Sequence, residues 1–154
     1  MCRMMSLFLL ILVLIGSLAG TVAAEQTGFG FGMKAPMELF VAYKPTPRLL
    51  LEGGVIGPFI GPITGMALRL DLKLFLKPLK LLDYPVTPFL GGGLVVASVA
   101  RLGSITGFQA LGGLELVLKE TPLSIFAELG YHFVNISHLA LGVFVPTIGV
   151  RFDL

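Results

Sequence analysis

The clearest pattern in the chain is a strict alternation of apolar and charged residues over positions 68–74, whose apolar row is extended by Met66 and Leu76. Every second residue of Leu68–Leu74 is a leucine, and the residues between them are Arg69, Asp71 and Lys73. On a helix these three charges would spread around the circumference, whereas on a strand they share one face. The pattern therefore predicts a β-strand with one apolar face and one charged face.

The same period of two recurs in six other segments, each with an apolar row on one face: 28–33, 38–44, 48–55, 113–119, 123–133 and 144–154. No charged residue falls on any of these apolar rows. Charged residues within a segment are separated by even numbers of positions, as in Glu38/Lys44 and Arg151/Asp153. Residues 86–98 are too rich in glycine and apolar residues for their faces to be assigned. The readable segments are predicted to be strands that carry charges of both signs on one face only.

Turn residues divide these runs at seven places: 34–36, 44–47, 56–65, 77–85, 100–107, 119–122 and 134–140. Seven breaks leave eight strands of about 8 to 14 residues, and a tilted membrane-spanning strand needs roughly 9 to 11. An even number of antiparallel strands can close, and lipid tolerates no unpaired edge. The sequence thus predicts an all-β fold, an eight-stranded antiparallel transmembrane β-barrel with an up-and-down meander. Closure would pair a last strand at about 141–154 with a first strand at about 27–34.

The N-terminus has the three parts of a secretory signal peptide. Arg3 precedes the apolar run Leu7–Ile15, and the small residues Val22–Ala24 precede Glu25. The alternative is an N-terminal membrane anchor, for which the apolar core is short. We expect residues 1–24 to be the signal peptide and residues 25–154 to be one barrel domain.

The composition of residues 25–154 argues against several other classes of protein. Ten Lys and Arg residues against nine Asp and Glu give a net charge of +1, with no basic cluster that would indicate nucleic-acid binding. Cys2 lies in the leader, so the mature chain has no cysteine for disulfides or thiol chemistry. Apolar residues make up 55% of the whole chain and charged residues 13%, which is unusual for a secreted soluble domain.

Three stretches resemble the small eight-stranded outer-membrane barrels of the OmpA-like type. Thr87–Gly93 is similar to the Pro-aromatic-x-Gly-x-Gly opening of their rising strands, and Phe126–Tyr131 is similar to their penultimate strand. The end, Ile148–Leu154, is similar to the terminal strand that the barrel-assembly machinery reads, although the aromatic residue here is Phe152 and the last residue is Leu154. The resemblance implies export to a bacterial outer membrane, with membrane lipid and the assembly machinery as partners.

The charged faces are the candidate functional feature. In a barrel they point inward, where a lumen enclosed by eight strands is just wide enough to be filled by side chains. We expect an interior polar network with Lys44 and Asp153 on the same rows, and Phe40, Leu50 and Phe126 taking further room. The network residues are Glu38, Glu52, Arg69, Asp71, Lys73, Glu115, Glu128 and Arg151. A polar pore lining is the alternative interpretation.

Residues with hydrolase-like chemistry occur together once, in Asn135–His138 with His132 and Glu128 nearby. Outer-membrane lipid A deacylases use Ser, His and Glu, but in a His-x-Ser-Asn order that this chain does not have. Neighbouring residues on a strand also point to opposite faces, so a base and its nucleophile would be separated. Two histidines without further ligands at suitable spacing predict no metal site, and no cofactor is expected.

The leading hypothesis is a structural or anchoring outer-membrane barrel, a non-enzyme and a monomer, with no open channel. A narrow pore for small solutes and a lipid-modifying enzyme are the alternatives. A soluble lipocalin-like barrel is compatible with the alternation at 66–76, because those leucines would then face inward. The other apolar rows and the terminal strand favour the membrane barrel. Tyr43, Tyr131 and Phe133 lie near strand ends on these rows, where they would form girdles at the membrane interfaces.

Overall fold

The computed structural model describes residues 28–57, 65–81, 84–99, 103–118, 121–136 and 139–154. Within these ranges the chain forms nine β-strands and no helix. The strands are β1 (Gly28–Lys34), β2 (Glu38–Thr46), β3 (Leu49–Ile56), β4 (Gly65–Phe75), β5 (Leu79–Leu81), β6 (Tyr84–Val99), β7 (Gly103–Val117), β8 (Leu123–Ile136) and β9 (Leu139–Asp153).

The strands close into one antiparallel barrel. Each strand pairs with its neighbour in sequence, β4 also pairs with β6, and β1 pairs with β9 to complete the ring. The short β5 pairs with the start of β6 beyond the end of β4, so β4 and β5 together occupy one position in the wall. The wall thus has eight positions. The predicted eight-stranded up-and-down barrel, closed by its first and last strands, is confirmed.

The register fixes how strongly the strands tilt. If the residue paired with Gly32 is followed from strand to strand through β2, β3, β4, β6 and β7, the series of paired residues ends at Val134 of β8. In the other direction, through β9, it arrives at Ser124 of the same strand. The offset of 10 residues between these two positions is the shear of the barrel. With eight strands, this shear corresponds to a tilt of about 40°.

Side chains alternate between the outside and the inside of this wall, as the sequence rows predict. The outward rows expose large apolar side chains, whereas the inward rows carry most of the charges. In β4, for example, Leu70 and Leu72 are exposed while Arg69 and Asp71 are buried. The structure also assigns β6, which the sequence left open. Phe89 faces inward and is buried, and Leu90 and Leu94 face outward.

The wall has unequal height. β6 to β9 contain 14 to 16 residues each, whereas β1 to β3 contain seven to nine. The chain termini lie together at one end, where the Leu154 N–H donates to the Phe29 carbonyl at 2.7 Å. Because the ladders are continuous at that end, the extra residues of β6 to β9 extend the wall at the far end. We call these the terminal end and the far end.

Several expected boundaries need correction. The predicted break at 77–85 contains β5, and the break at 100–107 is shorter because β7 already begins at Gly103. The break at 134–140 is reduced by the continuation of β8 to Ile136 and the start of β9 at Leu139. In each case cross-strand pairing overrides the glycine and polar residues that suggested a turn. The predicted signal peptide, residues 1–24, lies outside the described residues.

Candidate functional site: a salt-bridged plug in the lumen

Six strands contribute polar side chains to one buried cluster in the lumen, which we call the plug. Alternation along each strand places these side chains inward, and each is almost completely buried. The members of the plug are Lys34, Glu38, Glu52, Arg69, Asp71, Lys73, Gln109 and Glu128, from β1, β2, β3, β4, β7 and β8. β4 supplies three of them, which makes it the main charged strand.

Two lysines and two glutamates form the centre of the plug. Lys73 Nζ lies 2.9 Å from Glu52 Oε2 and 2.8 Å from Glu128 Oε2. Lys34 Nζ pairs with Glu52 and lies 3.0 Å from Glu128 Oε1. Each carboxylate is therefore shared between two ammonium groups, and the four side chains bridge β1, β3, β4 and β8 across the lumen. Charge-assisted hydrogen bonds of this kind are the strong ones inside a protein.

Arg69 extends the plug toward the far end. Its Nη2 lies 2.9 Å from Glu38 Oε1 and 3.0 Å from Glu52 Oε1, and its Nε lies 2.9 Å from Asp71 Oδ2. Gln109 of β7 donates its amide to Asp71. Gly93 makes room for this arrangement, since any Cβ at that position would collide with the Asp71 carboxylate. The described plug thus holds three cations and four carboxylates in contact with one another.

A second buried cluster lies nearer the terminal end. Arg151 of β9 binds Glu115 of β7 through both guanidinium ends, with two contacts of 2.9 Å. Its Nε also donates to Asp153 Oδ1 at 2.6 Å, and the Ser124 hydroxyl donates to Asp153 Oδ2 at 3.1 Å. The two-point contact fixes the guanidinium plane and ties three neighbouring strands together from the inside.

Aromatic rings fill the space around the central lysines. Phe40 and Phe126 meet edge to face with ring centroids 5.9 Å apart. Lys73 Nζ lies 4.9 Å from the centroid of Phe126 and 5.1 Å from that of Phe89, and Lys34 Nζ lies 5.1 Å from that of Phe40. Cations over ring faces gain electrostatic stabilisation. Charges and rings therefore lie side by side in the lumen at this level, and both are buried.

The eight network residues of the sequence prediction are all buried and face inward. They separate into two groups: Glu38, Glu52, Arg69, Asp71, Lys73 and Glu128 belong to the plug, and Glu115 and Arg151 belong to the second cluster. Asp153 is half-buried beside Arg151, and Lys44 is half-buried, with its Nζ 5.1 Å from the Phe75 ring centroid.

Sequence reasoning missed two members of the plug. Lys34 was assigned to a turn, but it is the last residue of β1 and its side chain is buried. Lys34 lies an even number of positions after Gly28, Gly30 and Gly32, which face inward. This spacing in the sequence indicates that Lys34 faces inward as well. Gln109 lies in a segment that was assigned to no face. Gln109 pairs with Gly93 of β6 on one side and with His132 of β8 on the other. Since both of these residues face inward, Gln109 faces inward too.

The residues considered for catalysis do not assemble in the described part of the chain. His132 and Glu128 face the lumen from β8, whereas Asn135 is exposed on the outward row. Ser137 and His138 lie outside the described residues. Within the described ranges, no group of three or more His, Cys, Asp and Glu side chains has an arrangement that would hold a metal ion.

Comparison with solved structures identifies the same architecture elsewhere. The N-terminal β-barrel domain of Pseudomonas aeruginosa OprF superposes with a TM-score of 0.58, covering 83% of this chain and 96% of that domain at 16% sequence identity. The chain has the fold of the OmpA-like eight-stranded barrels. No protein-family model matches the sequence, and no curated protein sequence matches it either. Within the described ranges, no helix is long and apolar enough to cross a membrane.

Proposed function

We propose that the protein is a structural or anchoring barrel of a bacterial outer membrane and that its lumen is closed to solutes. The observation that carries this proposal is the plug. Its ion pairs span the lumen from β1, β3 and β4 to β8, and rings of Phe40, Phe89 and Phe126 fill the space beside them. A conducting lumen would need a continuous path of water between these side chains.

The outer surface supports the membrane location. Large apolar side chains are exposed all around the wall, which is costly in water and favourable in lipid. Paired aromatic rings occur at two levels of this surface: Phe29–Tyr43 and Phe31–Phe152 toward the terminal end, and Phe108–Phe133 and Tyr131–Phe144 toward the far end. Two aromatic levels are the arrangement of girdles at the two interfaces of a bilayer.

The distribution of charged residues also supports a location in a membrane. Of the charged residues in the described ranges, Arg48, Lys77 and Lys80 are exposed. Arg48 and Lys77 lie in connections between strands at the terminal end, and Lys80 lies in the short β5 beside them. None lies on an outward strand row. A lipocalin-like soluble barrel would carry its charges on those rows instead.

The proposal is tested first by location. Expressed with its leader, the protein is expected in the outer-membrane fraction, with faster gel migration before boiling than after it. Mature protein is expected to start at Glu25. Recovery in the soluble periplasmic fraction, or migration that heating does not change, would contradict the membrane barrel.

The closed lumen is tested by swelling of liposomes that contain the refolded protein. Liposomes with the wild-type barrel are expected to swell in small sugars no faster than empty liposomes. Sugar-dependent swelling would favour the alternative of a narrow pore. Changes in lipid A composition on deletion of the gene would favour the alternative of a lipid-modifying enzyme.

A further inference from the structure

On each of the long strands β6 to β9, the kind of inward-facing residue changes at one level of the barrel. Toward the terminal end they carry the plug and its aromatic neighbours, whereas beyond the plug they are apolar. We call this far part of the lumen the vestibule, defined by Val95, Ala97 and Val99 of β6 and Leu141, Val143 and Val145 of β9. In the described part of these rows, His132 of β8 is the polar exception, at the boundary. It leans toward the plug, because a Cβ at Gly130 would lie 2.9 Å from its Nε2.

The vestibule is open from within on its β9 side, whereas Val99 on its β6 side is buried. Val143 faces inward by its register with β8, yet 52% of its surface is exposed, and Leu141 on the same row is exposed to a similar degree. Inward residues at the plug level are almost completely buried. The far part of the lumen is therefore an apolar space with a charged floor.

One side of the vestibule lacks a wall among the described residues. The ladder between β1 and β9 ends where Lys34 pairs with Gly149 and the Ala35 N–H donates to the Ile148 carbonyl at 2.8 Å. β9 continues for nine further residues, Leu139 to Thr147, paired with β8 alone within the described ranges. At about 3.3 Å per residue, this is about 30 Å of strand that has no partner on that side among the residues the structure describes.

The sequence is adapted to this edge. In an antiparallel strand the backbone groups of alternate residues point to the same side. Since the Ile148 carbonyl points toward β1, the backbone of Pro146 points to that side too. Proline has no N–H to donate, and within sheets it is confined to edges for that reason. Pro146 thus lies where β9 has just left its partner, and its missing N–H removes one donor that would otherwise be unpaired.

A groove lies at the base of this opening. It has a volume of about 660 Å³, in the range typical of small-molecule and lipid sites. Its lining includes Met33, Leu39 and Ile148 from the outward rows, together with Met37 of the β1–β2 turn. Lys34 and Glu38 border its inner side, where they are turned into the plug. The groove is therefore continuous with the lipid-facing surface, and its inner side borders plug residues at the base of the vestibule.

We propose that the vestibule takes up an acyl chain of a membrane lipid, which enters sideways between β9 and the β1–β2 turn. This inference rests on the proposed membrane location. The occupant follows from what adjoins the opening, because the outward rows that line the groove are the rows that contact hydrocarbon in the membrane. An acyl chain covers the aliphatic side chains that line the vestibule, whereas water there would hydrate apolar surface.

The chain offers a direct test, since it contains no tryptophan. Three single-tryptophan variants report three environments: Val143→Trp in the vestibule, Phe144→Trp on the adjacent outward position, and Phe89→Trp beside the plug. Phe144 is 66% exposed and faces the lipid, whereas Phe89 is buried. Each variant is refolded into phosphatidylcholine vesicles whose acyl chains carry bromine at carbons 6 and 7, which quench tryptophan on contact. Heat-modifiable migration verifies that each variant has folded.

The inference predicts that Val143→Trp loses fluorescence to a similar extent as Phe144→Trp, while Phe89→Trp loses little. Quenching of Val143→Trp by aqueous iodide instead of bromolipid would show a water-filled vestibule and overturn the inference. Protection from both quenchers would show that protein covers the vestibule, which overturns it as well. If Val143→Trp does not fold, Leu141→Trp on the same row replaces it. Absence of bromolipid quenching in Phe144→Trp would contradict the membrane location itself, so the two failures are distinguishable.

Discussion

Lys73 Nζ lies 2.8 Å from Glu128 Oε2, and this contact joins β4 to β8 across the lumen over 55 residues of sequence. The same ammonium group lies 2.9 Å from Glu52 Oε2 of β3. Lys73 therefore neutralises two carboxylates that face each other from different walls. Removing a single partner from such a buried arrangement leaves charges without compensation, which is far more costly than removing the whole set.

We expect Lys73→Met to lower the free energy of unfolding by about 3 to 5 kcal/mol, because Glu52 and Glu128 would each lose a buried cation. Urea unfolding in lipid vesicles, followed by heat-modifiable migration, measures this change. The matched control is Lys80→Met in the exposed β5, expected to change stability by no more than about 0.5 kcal/mol. The double variant Lys73→Met, Glu128→Gln should recover part of the loss. If Lys73→Met and Lys80→Met lowered the free energy of unfolding equally, Lys73 would contribute nothing to the plug.

The assignment of faces is tested by arginine on the outer surface. Leu70→Arg places a charge in the hydrocarbon from the middle of β4 and is expected to cost about 2 to 4 kcal/mol. The same change at Leu81, next to the turn at the terminal end, is expected to cost about 0 to 1 kcal/mol. Refolding yield and unfolding in bilayers compare the two variants. If Leu70→Arg were tolerated as well as Leu81→Arg, the outward row would not contact lipid.

At Gly149 the backbone of β9 lies very close to β1 and to the Phe126 ring. A Cβ there would lie 2.8 Å from the Met33 carbonyl oxygen and would collide with the Phe126 ring. Gly149→Ala is therefore expected to destabilise the barrel by about 1 to 3 kcal/mol through overpacking. Gly53→Ala is the control, since a Cβ at Gly53 meets nothing within 4 Å. Phe126→Leu in the Gly149→Ala background should relieve part of the strain, and no relief would place the collision elsewhere.

Closure depends on the last residues of β9. Asp153 pairs with Gly30 and Phe152 with Phe31, where the two rings also stack at 5.6 Å. Deletion of Phe152–Leu154 is expected to prevent assembly in the membrane, because β1 would keep an unpaired edge in lipid. Deletion of Leu154 alone removes one backbone hydrogen bond to Phe29 and should be tolerated. Normal heat-modifiable migration after the longer deletion would contradict both closure and the terminal assembly signal.

How far the sequence predicts this molecule depends on the kind of feature. Alternation with a period of two predicts the wall and the faces, because only a strand places Arg69, Asp71 and Lys73 on one side. It does not predict the partners in the plug, since Lys73 and Glu128 meet through the register of strands that are distant in sequence. Strand ends were the weakest prediction, and Lys34 was missed for that reason. The apolar vestibule was missed because residues 86–98 show no polar face.

The most direct test of the account is single-channel recording with wild-type protein in planar bilayers. Insertion is verified in the same preparation by heat-modifiable migration and by protection of the strands from protease. Because the buried ion pairs of the plug bridge the lumen and the rings of Phe40, Phe89 and Phe126 lie beside them, the account predicts a baseline without stable current steps. Reproducible steps of one size, in protein shown to be inserted, would contradict the closed lumen and favour the narrow pore.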